Sequence, residues 1–378
     1  MSKRLVRYAR AHAKAFLVVI WAAFLIFAGA YCVYFDQLTK MHDIPNAVQA
    51  AIVSQENSTN PYNHNVIPRF DSRYSASVSI TYGPYNYLPL DLDVYTICER
   101  VLGFLGMPIW FVVTNLMFSA AAFFLLNRIL DARWRFYAPL AGIVMLFYSF
   151  DNVSLTLLLI VASIYVYSRQ GKYNRVFAIV LMGLAVMTKI HAIVPFVVLV
   201  MFELQRVVLS KDRKVFLEIS TGVAASCAIG ATLMMPFGIW NVIKSAVLFH
   251  ADVISRSGTS YGGTLLTELH LASSGYTLVV LAMVMGALVS SLCFRCLADR
   301  MMLVSIVFLL VSVKSSQALL IVPGVFLALK ITYLAKRGQK TTPQVGSCAR
   351  NLGEFWMIEE KPPLSLLPVS SGPSLRFR

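Results

Sequence analysis

Long apolar runs constrain this chain more than any other feature of its sequence. Residues 15–35 contain no charged side chain over 21 positions, and about 20 helical residues are enough to cross the hydrocarbon core of a bilayer. This run is longer than the ~7–15 apolar residues of a secretory signal peptide. Only 13% of all residues are charged, against about a quarter in soluble domains. The chain is therefore predicted to be an integral membrane protein.

The hydropathy pattern predicts an all-α polytopic membrane protein with about ten transmembrane helices. The predicted spans are residues 15–35, 105–127, 136–150, 152–168, 174–188, 190–208, 215–237, 275–294, 300–313 and 317–335. Two long connections, 36–104 and 238–274, are predicted to be extracytoplasmic loops. Residues 1–335 form the predicted transmembrane domain. Residues 336–378, which carry four prolines in their last 17 positions, are predicted to be a flexible cytoplasmic tail.

The distribution of basic residues gives the predicted orientation. With the N-terminus inside the cell, the inner segments hold 24 of the 33 lysines and arginines, and the outer segments hold eight. Cytoplasmic loops of membrane proteins carry such an excess. We therefore expect a multi-pass protein of the cell membrane with both termini in the cytoplasm. The net charge of +15 is explained by this orientation, and no nucleic-acid partner is predicted.

Segment 88–104 is apolar in part but is interrupted by ionisable residues. Asp91, Asp93, Glu99 and Arg100 would each cost about 2.5–3.5 kcal/mol in the centre of a bilayer. A span here would also invert every later loop and remove the charge bias. We therefore interpret this segment as an interfacial or partly re-entrant helix on the outer face.

The first outer loop contains a candidate general base and a group of tyrosines. Asp43 follows the first predicted span closely, and a partly shielded carboxylate there would have a raised pKa. Asp43 could equally cap the helix predicted for residues 44–54. Tyr82, Tyr85 and Tyr87 lie in a Gly- and Pro-containing segment, where they could stack against a sugar or form an ordinary interfacial aromatic belt.

Basic side chains gather at the other predicted outer turns. Lys189 and His191 lie between two apolar helices, where an ammonium group needs a partner such as phosphate, although a lysine can also snorkel to the surface. The second outer loop adds His250 and Arg256 beside a Gly/Ser/Thr run. The last outer turn adds Lys314 and Gln317. The cysteines lack zinc-site spacing, and neither a metal nor a cofactor is predicted.

These motifs together resemble the glycosyltransferase C superfamily. The closest similarity is to the polyprenol-phosphate-mannose-dependent mannosyltransferases of glycosyltransferase family 87, over roughly residues 10–335. The resemblance is carried by NPY at 60–62, YGPYNYLP at 82–89, GLAVMTK at 183–189, the loop 249–269 and the closing span 316–329. Asp91 and Asp93 stand where the family has an apolar helix.

The resemblance implies a membrane hexosyltransferase and a role for each of these residues. It would transfer a sugar, mannose in the family, from a polyprenyl-phosphate donor to a glycolipid or glycan acceptor, with inversion. Asp43 would be the base. Lys189, His191, Arg256, His250 and Lys314 would bind the donor phosphate. Tyr82, Tyr85, Tyr87 and Gln317 would contact substrate, and the apolar helices would hold the prenyl tail among membrane lipids.

Two other classes of function remain open from the sequence. A transporter or lipid flippase would need ionisable groups near the middle of the membrane, and the predicted spans contain no clear mid-helix acid. A non-catalytic subunit of an envelope-assembly complex would keep the architecture but would not need Asp43.

Overall fold

The computed structural model describes most of the chain between Asp43 and Gln339. The described residues are 43–65, 67–71, 79–107, 109–130, 152–169, 171, 173–248, 273–311 and 321–339. Within them the backbone alone is described at 43–44, 67–71, 79–83, 247–248, 273–277 and 332–339. The predicted spans 15–35 and 136–150 and most of the predicted tail lie outside these residues.

The described chain is mostly helical. Its helices are α1 Asp43–Glu56, α2 Pro89–Leu102, α3 Ile109–Ile129, α4 Val153–Tyr167, α5 Asn174–Val186, α6 Ile193–Ser210, α7 Arg213–Met234, α8 Ile239–Val242, α9 Ser273–Ser291, α10 Leu297–Val311 and α11 Ile321–Gln339. Short 3-10 segments lie at Gly103–Leu105, Ile190–Ala192 and Met235–Phe237, and a π-helical turn at Ile243–Leu248 follows α8.

Three helical segments are long and apolar enough to cross a membrane. They are Ile109–Ile129, Ile190–Ser210 and Arg213–Phe237. The prediction of a helical membrane protein is confirmed at this level. The other described helices that coincide with predicted spans are shorter, and Val153–Tyr167 and Asn174–Val186 are apolar throughout most of their length. The predicted number of ten spans therefore stays a prediction.

The described part of the first predicted outer loop, 36–104, is folded into helices and a β-hairpin. Helix α1 is followed by an antiparallel hairpin of β1 (Ile67–Asp71) and β2 (Ser79–Gly83), which pairs Ile67 with Gly83 and Asp71 with Ser79. The prediction of an all-α fold does not include this hairpin. Helix α2 begins with Pro89 at its first position, a residue whose fixed φ suits a helix start.

Helix α2 is amphipathic. One face buries Asp91, Leu92 and Tyr95 against the protein. The opposite face exposes Ile97 and Val101, and Phe104 just beyond the helix extends this row. The helix is only 14 residues long, which is shorter than the ~20 residues of a span. The placement of 88–104 as an interfacial or partly re-entrant helix stays a prediction.

Two apolar cores meet at one end of the helical bundle. The larger core lies among helices α3–α7 and α9–α11 and includes Phe123, Phe202 and Phe326. The smaller core lies beneath α1 and α2 and combines aliphatic residues with aromatic ones such as Tyr95, Trp110 and Phe111. Ile190 packs against both cores, so the chain segment between α5 and α6 lies at their junction.

Helices α5 and α7 approach closely through small residues. Gly222, Ser226 and Gly230 form a buried row on α7 at four-residue spacing. Gly183 of α5 faces this row, because a Cβ added at Gly183 would lie 2.6 Å from the Cβ of Ser226. Small residues at this spacing let membrane helices pack with close backbones.

We expect Gly183→Ala to destabilise the α5–α7 pair. The new methyl group would lie 2.5 Å from the Ser226 hydroxyl oxygen, and overpacking of this kind costs about 1–3 kcal/mol. Thermal unfolding in detergent would measure the effect. Gly286→Ala in α9 is the matched control, because nothing lies within 4 Å of its added Cβ. Equal melting temperatures for the two variants would contradict the close packing.

A buried ionic cluster ties helices α4–α7 together at the other end of the bundle. Glu203 of α6 has no exposed surface. Its carboxylate pairs with Arg175 of α5 at 2.7 Å and with Arg206 at 3.1 Å, and it accepts a hydrogen bond from Tyr167 of α4. Arg175 also pairs with Glu218 of α7. We call these five residues the Glu203 cluster.

Candidate functional site

Lys189 occupies the junction between the two apolar cores. Helix α5 ends at Val186, and the backbone turns extended at Lys189 before the 3-10 turn that leads into α6. Only 7% of Lys189 is exposed. Its ammonium nitrogen lies 5.4 Å from the centroid of the Tyr87 ring, within the range of a cation–π contact. A positive charge is thus held in a largely apolar environment at the end of the bundle.

Asp91 is the second charged residue of this region, and it is completely buried. The hydroxyl of Tyr85 donates to Oδ2 of Asp91 at 2.7 Å, and the side-chain amide of Asn152 donates to the same oxygen at 2.8 Å. The Tyr85 and Tyr87 rings lie edge-to-face with centroids 5.5 Å apart. We call Tyr85, Tyr87, Asp91, Asn152 and Lys189 the Asp91 cluster.

The electrostatics of this cluster keep Tyr85 neutral. Burial raises the pKa of the Tyr85 phenol well above its usual value, and the charge of Asp91 raises the pKa further. Tyr85 therefore remains a hydrogen-bond donor to Asp91 at any physiological pH. The cluster as a whole contains one buried cation and one buried carboxylate, joined through tyrosine rings.

Polar contacts continue from the Asp91 cluster into the bundle. The hydroxyl oxygens of Thr156 and Thr188 lie 2.8 Å apart, and Thr188 also donates to the carbonyl of Ala185 at 2.6 Å. Ser119 of α3 donates to Ser154 of α4 at 3.0 Å. These bonds fix the ends of α4 and α5, and so they fix the positions of Asn152 and Lys189.

His191 faces a different environment from Lys189. Its ring lies edge-to-face with Phe308 of α10, with centroids 5.6 Å apart. It lines a small, partly open pocket between α4, α6, α10 and α11. Thr156 and Ser305 are the other polar side chains of the lining, and the remaining lining residues are apolar.

The NPY segment at 60–62 joins this site to the end of α7. The Asn60 side chain donates to the carbonyl of Phe237 at 2.7 Å, and the backbone N–H of Tyr85 donates to the carbonyl of Pro61 at 2.8 Å. The Tyr62 ring packs on Tyr85 and Phe237, with centroids 5.6 and 5.0 Å away. The two tyrosine motifs recognised in the sequence are therefore adjacent in space.

The structure brings together some of the predicted site residues. Lys189, Tyr85 and Tyr87 belong to one cluster, although Tyr85 is completely buried and acts as a support for Asp91 instead of a stacking surface. His191 lies apart from them, at the pocket. Asp43 begins α1 and Tyr82 lies in β2, and their side chains are outside the described residues. His250, Arg256, Lys314 and Gln317 are also outside them.

Asp91 and Asn152 are not among the candidate site residues predicted from the sequence. In the sequence, Asp91 stands out only as an acid that interrupts an apolar run. This observation argues against a membrane span at 88–104 and does not by itself indicate a functional site. Asn152 precedes α4 within the pattern Asn152-Val153-Ser154, which matches a glycosylation acceptor but indicates no contact with Asp91. Sixty-one residues separate this pair along the chain, so one sequence cannot reveal their contact.

The part of the chain that the structure describes contains no group of three or more histidine, cysteine, aspartate or glutamate residues able to hold a metal ion. The Asp91 cluster offers ammonium, carboxylate, amide and phenol groups. No family model, no curated protein and no solved structure matches this chain.

Proposed function

We propose that this chain is an integral membrane glycosyltransferase. It transfers a hexose, with mannose as the leading candidate, from a polyprenyl-phosphate donor to a glycolipid or glycan acceptor. The ends of α5 and α6 that carry Lys189 face the extracytoplasmic side of the cell membrane in this proposal, and both chain termini are cytoplasmic. The donor carries its own leaving group, so neither a nucleotide-binding fold nor a cofactor is required.

The buried position of Lys189 is the observation that carries this proposal. A cation in a low-dielectric site interacts strongly with a phosphate whose charge grows as the sugar–phosphate bond breaks. Tyr87 lies against the ammonium group and limits its motion. Asp91, held by Tyr85 and Asn152, keeps the local charge balanced in the same cluster.

The pocket beside His191 supports a lipid-linked donor. It is mostly apolar and lies within the helical bundle, and its lining includes His191, two residues after Lys189 in the chain. A phosphate bound at Lys189 would place the first part of an apolar chain near this pocket. In this arrangement His191 contacts the region where phosphate and lipid join, and Arg256, His250 and Lys314 complete the phosphate site.

Asp43 keeps its predicted role as the general base. An acceptor hydroxyl attacks the anomeric carbon, Asp43 takes its proton, and the sugar–phosphate bond breaks with its electron pair leaving on the phosphate oxygen. The reaction inverts the anomeric centre, because the attack comes from the face opposite the phosphate.

A transfer assay with purified protein in nanodiscs tests the proposal. Polyprenyl-phosphate-mannose, -glucose and -arabinose would be supplied as donors with mixed membrane acceptors, and wild type would be compared with Asp43→Asn. We expect transfer from at least one donor by wild type. We expect its loss in the variant, with donor binding retained.

The controls separate the alternatives. Absence of turnover from every donor, with a folded wild-type protein, would contradict the enzyme and favour a transporter or an assembly subunit. Normal turnover in Asp43→Asn would keep the enzyme but would make Asp43 only the first residue of α1.

A further inference from the structure

A basic turn connects two of the helical segments that are long and apolar enough to cross a membrane. Helix α6 ends at Ser210, and α7 begins at Arg213. Lys211, Arg213 and Lys214 lie in or directly beside this turn, and all three residues are exposed. Three accessible cations are therefore held within four positions of the chain, at the point where two candidate spans end.

The acidic residues near this turn already have other partners. Asp212 caps α7, because its carboxylate accepts a hydrogen bond from the backbone N–H of Lys214 at 2.9 Å. Glu218, further along α7, pairs with Arg175 of α5. Within the described ranges of the chain, no carboxylate forms an ion pair with any of the three cations. Their charge is therefore available to a partner outside the protein.

The start of α5 lies beside the start of α7 and extends this basic surface. Gly183 faces Ser226, and Arg175 pairs with Glu218, and in both contacts the two residues are 43 positions apart. The constant offset shows that α5 and α7 run in the same direction, with their first turns next to each other. Arg169, in the turn that precedes α5, is exposed as well. A fourth cation therefore lies at the same end of the bundle.

Exposed apolar side chains continue directly from the basic turn. Val208 and Leu209 lie at the end of α6, and Phe216 and Leu217 lie near the start of α7, each of them between 49% and 73% exposed. Tyr173 is also exposed just before α5, and tyrosine is enriched where membrane and water meet. This combination places the cations at the boundary between the acyl chains and the headgroups of a bilayer.

The chemistry of the surface selects a phospholipid with a net negative charge. Ammonium and guanidinium groups donate hydrogen bonds and accept none, so their partner must be an anion with acceptor oxygens, such as a phosphate diester. An acidic soluble protein would match the cations but would leave the neighbouring apolar side chains without an apolar contact. A zwitterionic lipid brings a cation of its own, which cancels most of the attraction.

We propose that Lys211, Arg213 and Lys214, together with Arg169, bind the headgroup of an anionic membrane phospholipid. The headgroup phosphate accepts hydrogen bonds from these side chains, and the acyl chains lie along the exposed apolar residues at the ends of α6 and α7. The surface is at the end of the bundle opposite Lys189. The inference therefore does not depend on the proposed transferase.

Native mass spectrometry of the protein released from detergent micelles tests the binding. The probes are dioleoylphosphatidylglycerol, which is anionic, and dioleoylphosphatidylcholine, which is zwitterionic. We expect wild type to bind the anionic lipid more tightly. The dissociation constant for this lipid should rise about fivefold in Arg213→Gln and about a hundredfold when Lys211→Gln, Arg213→Gln and Lys214→Gln are combined, because each cation near an anionic lipid surface contributes about a fivefold factor. Binding of the zwitterionic lipid should not change.

Arg100→Gln is the matched control for Arg213→Gln. Arg100 is also an exposed arginine, but it lies on α2 at the other end of the bundle, so its loss should leave the affinity for phosphatidylglycerol unchanged. The triple variant should melt at the wild-type temperature in lipid-free detergent, because its three side chains are exposed. If the triple variant does not fold, the single variant Arg213→Gln decides the question.

Equal affinities of wild type for the two lipids would overturn the proposal, and so would an unchanged affinity for phosphatidylglycerol in folded Arg213→Gln. Two soluble anions, inorganic phosphate and glycerophosphoglycerol, separate a lipid ligand from a free phosphate. We expect neither of them to displace phosphatidylglycerol at equal concentration, because neither has acyl chains to contact the apolar residues. Displacement by either anion would identify a site for free phosphate and overturn the lipid assignment.

Discussion

We expect Glu203→Leu to lower the free energy of unfolding by about 3–5 kcal/mol, the cost of removing one member of a buried ion pair. Glu203 is completely buried and receives Arg175, Arg206 and Tyr167. Leucine would fill most of the space, but it would leave these three donors without their shared acceptor. The effect is large because α4, α5 and α6 all lose a connection.

The change can be measured as the shift in the unfolding transition in mixed detergent micelles. Glu218→Leu is the matched control, since it removes the other carboxylate that pairs with Arg175 but leaves Glu203 in place. Glu218 keeps 16% of its side chain exposed, whereas Glu203 is completely buried, so the loss of Glu218 should lower the free energy of unfolding less than the loss of Glu203. If both variants unfolded at the same point, the Glu203 cluster would not be the connection that holds these helices together.

The two clusters lie at opposite ends of the same helices. Asn152 precedes α4 and Tyr167 ends it, and the 15 residues of α4 span about 22 Å at 1.5 Å per residue. Lys189 likewise precedes α6, while Glu203 and Arg206 lie near its end. The ionic contacts at one end therefore hold the helices whose other ends position the site. Holding these helices in place is therefore a structural role for the Glu203 cluster, which lies far from the proposed reaction.

The apolar elements of this fold could be predicted because each is encoded locally. Helix α3 was predicted at 105–127 and is observed at Ile109–Ile129, and α7 was predicted at 215–237 and is observed from Arg213. A run of apolar residues predicts a membrane helix without knowledge of its neighbours. The hairpin was not predictable in the same way, because β1 contains Pro68, Arg69 and Asp71 and lacks the alternation of a strand.

The site could be predicted only in part, because its contacts are long-range. Lys189 was identified from its place between two apolar helices, and Tyr87 from its aromatic segment, but their contact joins residues about a hundred positions apart. Asp91 was treated as a group too costly to bury in lipid. The structure buries it in protein instead, where Tyr85 and Asn152 donate to it. A charge buried in lipid has no hydrogen-bond partner, whereas a charge buried in protein can be stabilised by donors such as these. Composition alone cannot distinguish the two environments.

We expect Lys189→Gln to reduce the rate of sugar transfer by about 10²–10³-fold, the usual effect of removing one group that stabilises developing transition-state charge. Glutamine keeps a polar side chain of similar length but cannot balance the charge that grows on the departing phosphate. Lys189→Arg should retain more activity than glutamine, since its charge remains, but less than wild type, because a guanidinium group has a different shape and donor geometry. Turnover would be measured in nanodiscs at saturating donor.

The matched control for this prediction is Lys244→Gln, which removes an exposed lysine from the π-helical turn that follows α8. Its turnover should equal that of wild type, because long-range attraction of the donor by an exposed charge is screened within about 10 Å at 0.1 M salt. Melting temperatures of both variants would show that the fold persists. A Lys189→Gln protein that is folded and turns over at the wild-type rate would remove the phosphate-binding role from Lys189. Lys189 would then be only a buried cation paired with Tyr87, and the proposed transferase would lose the observation on which it rests.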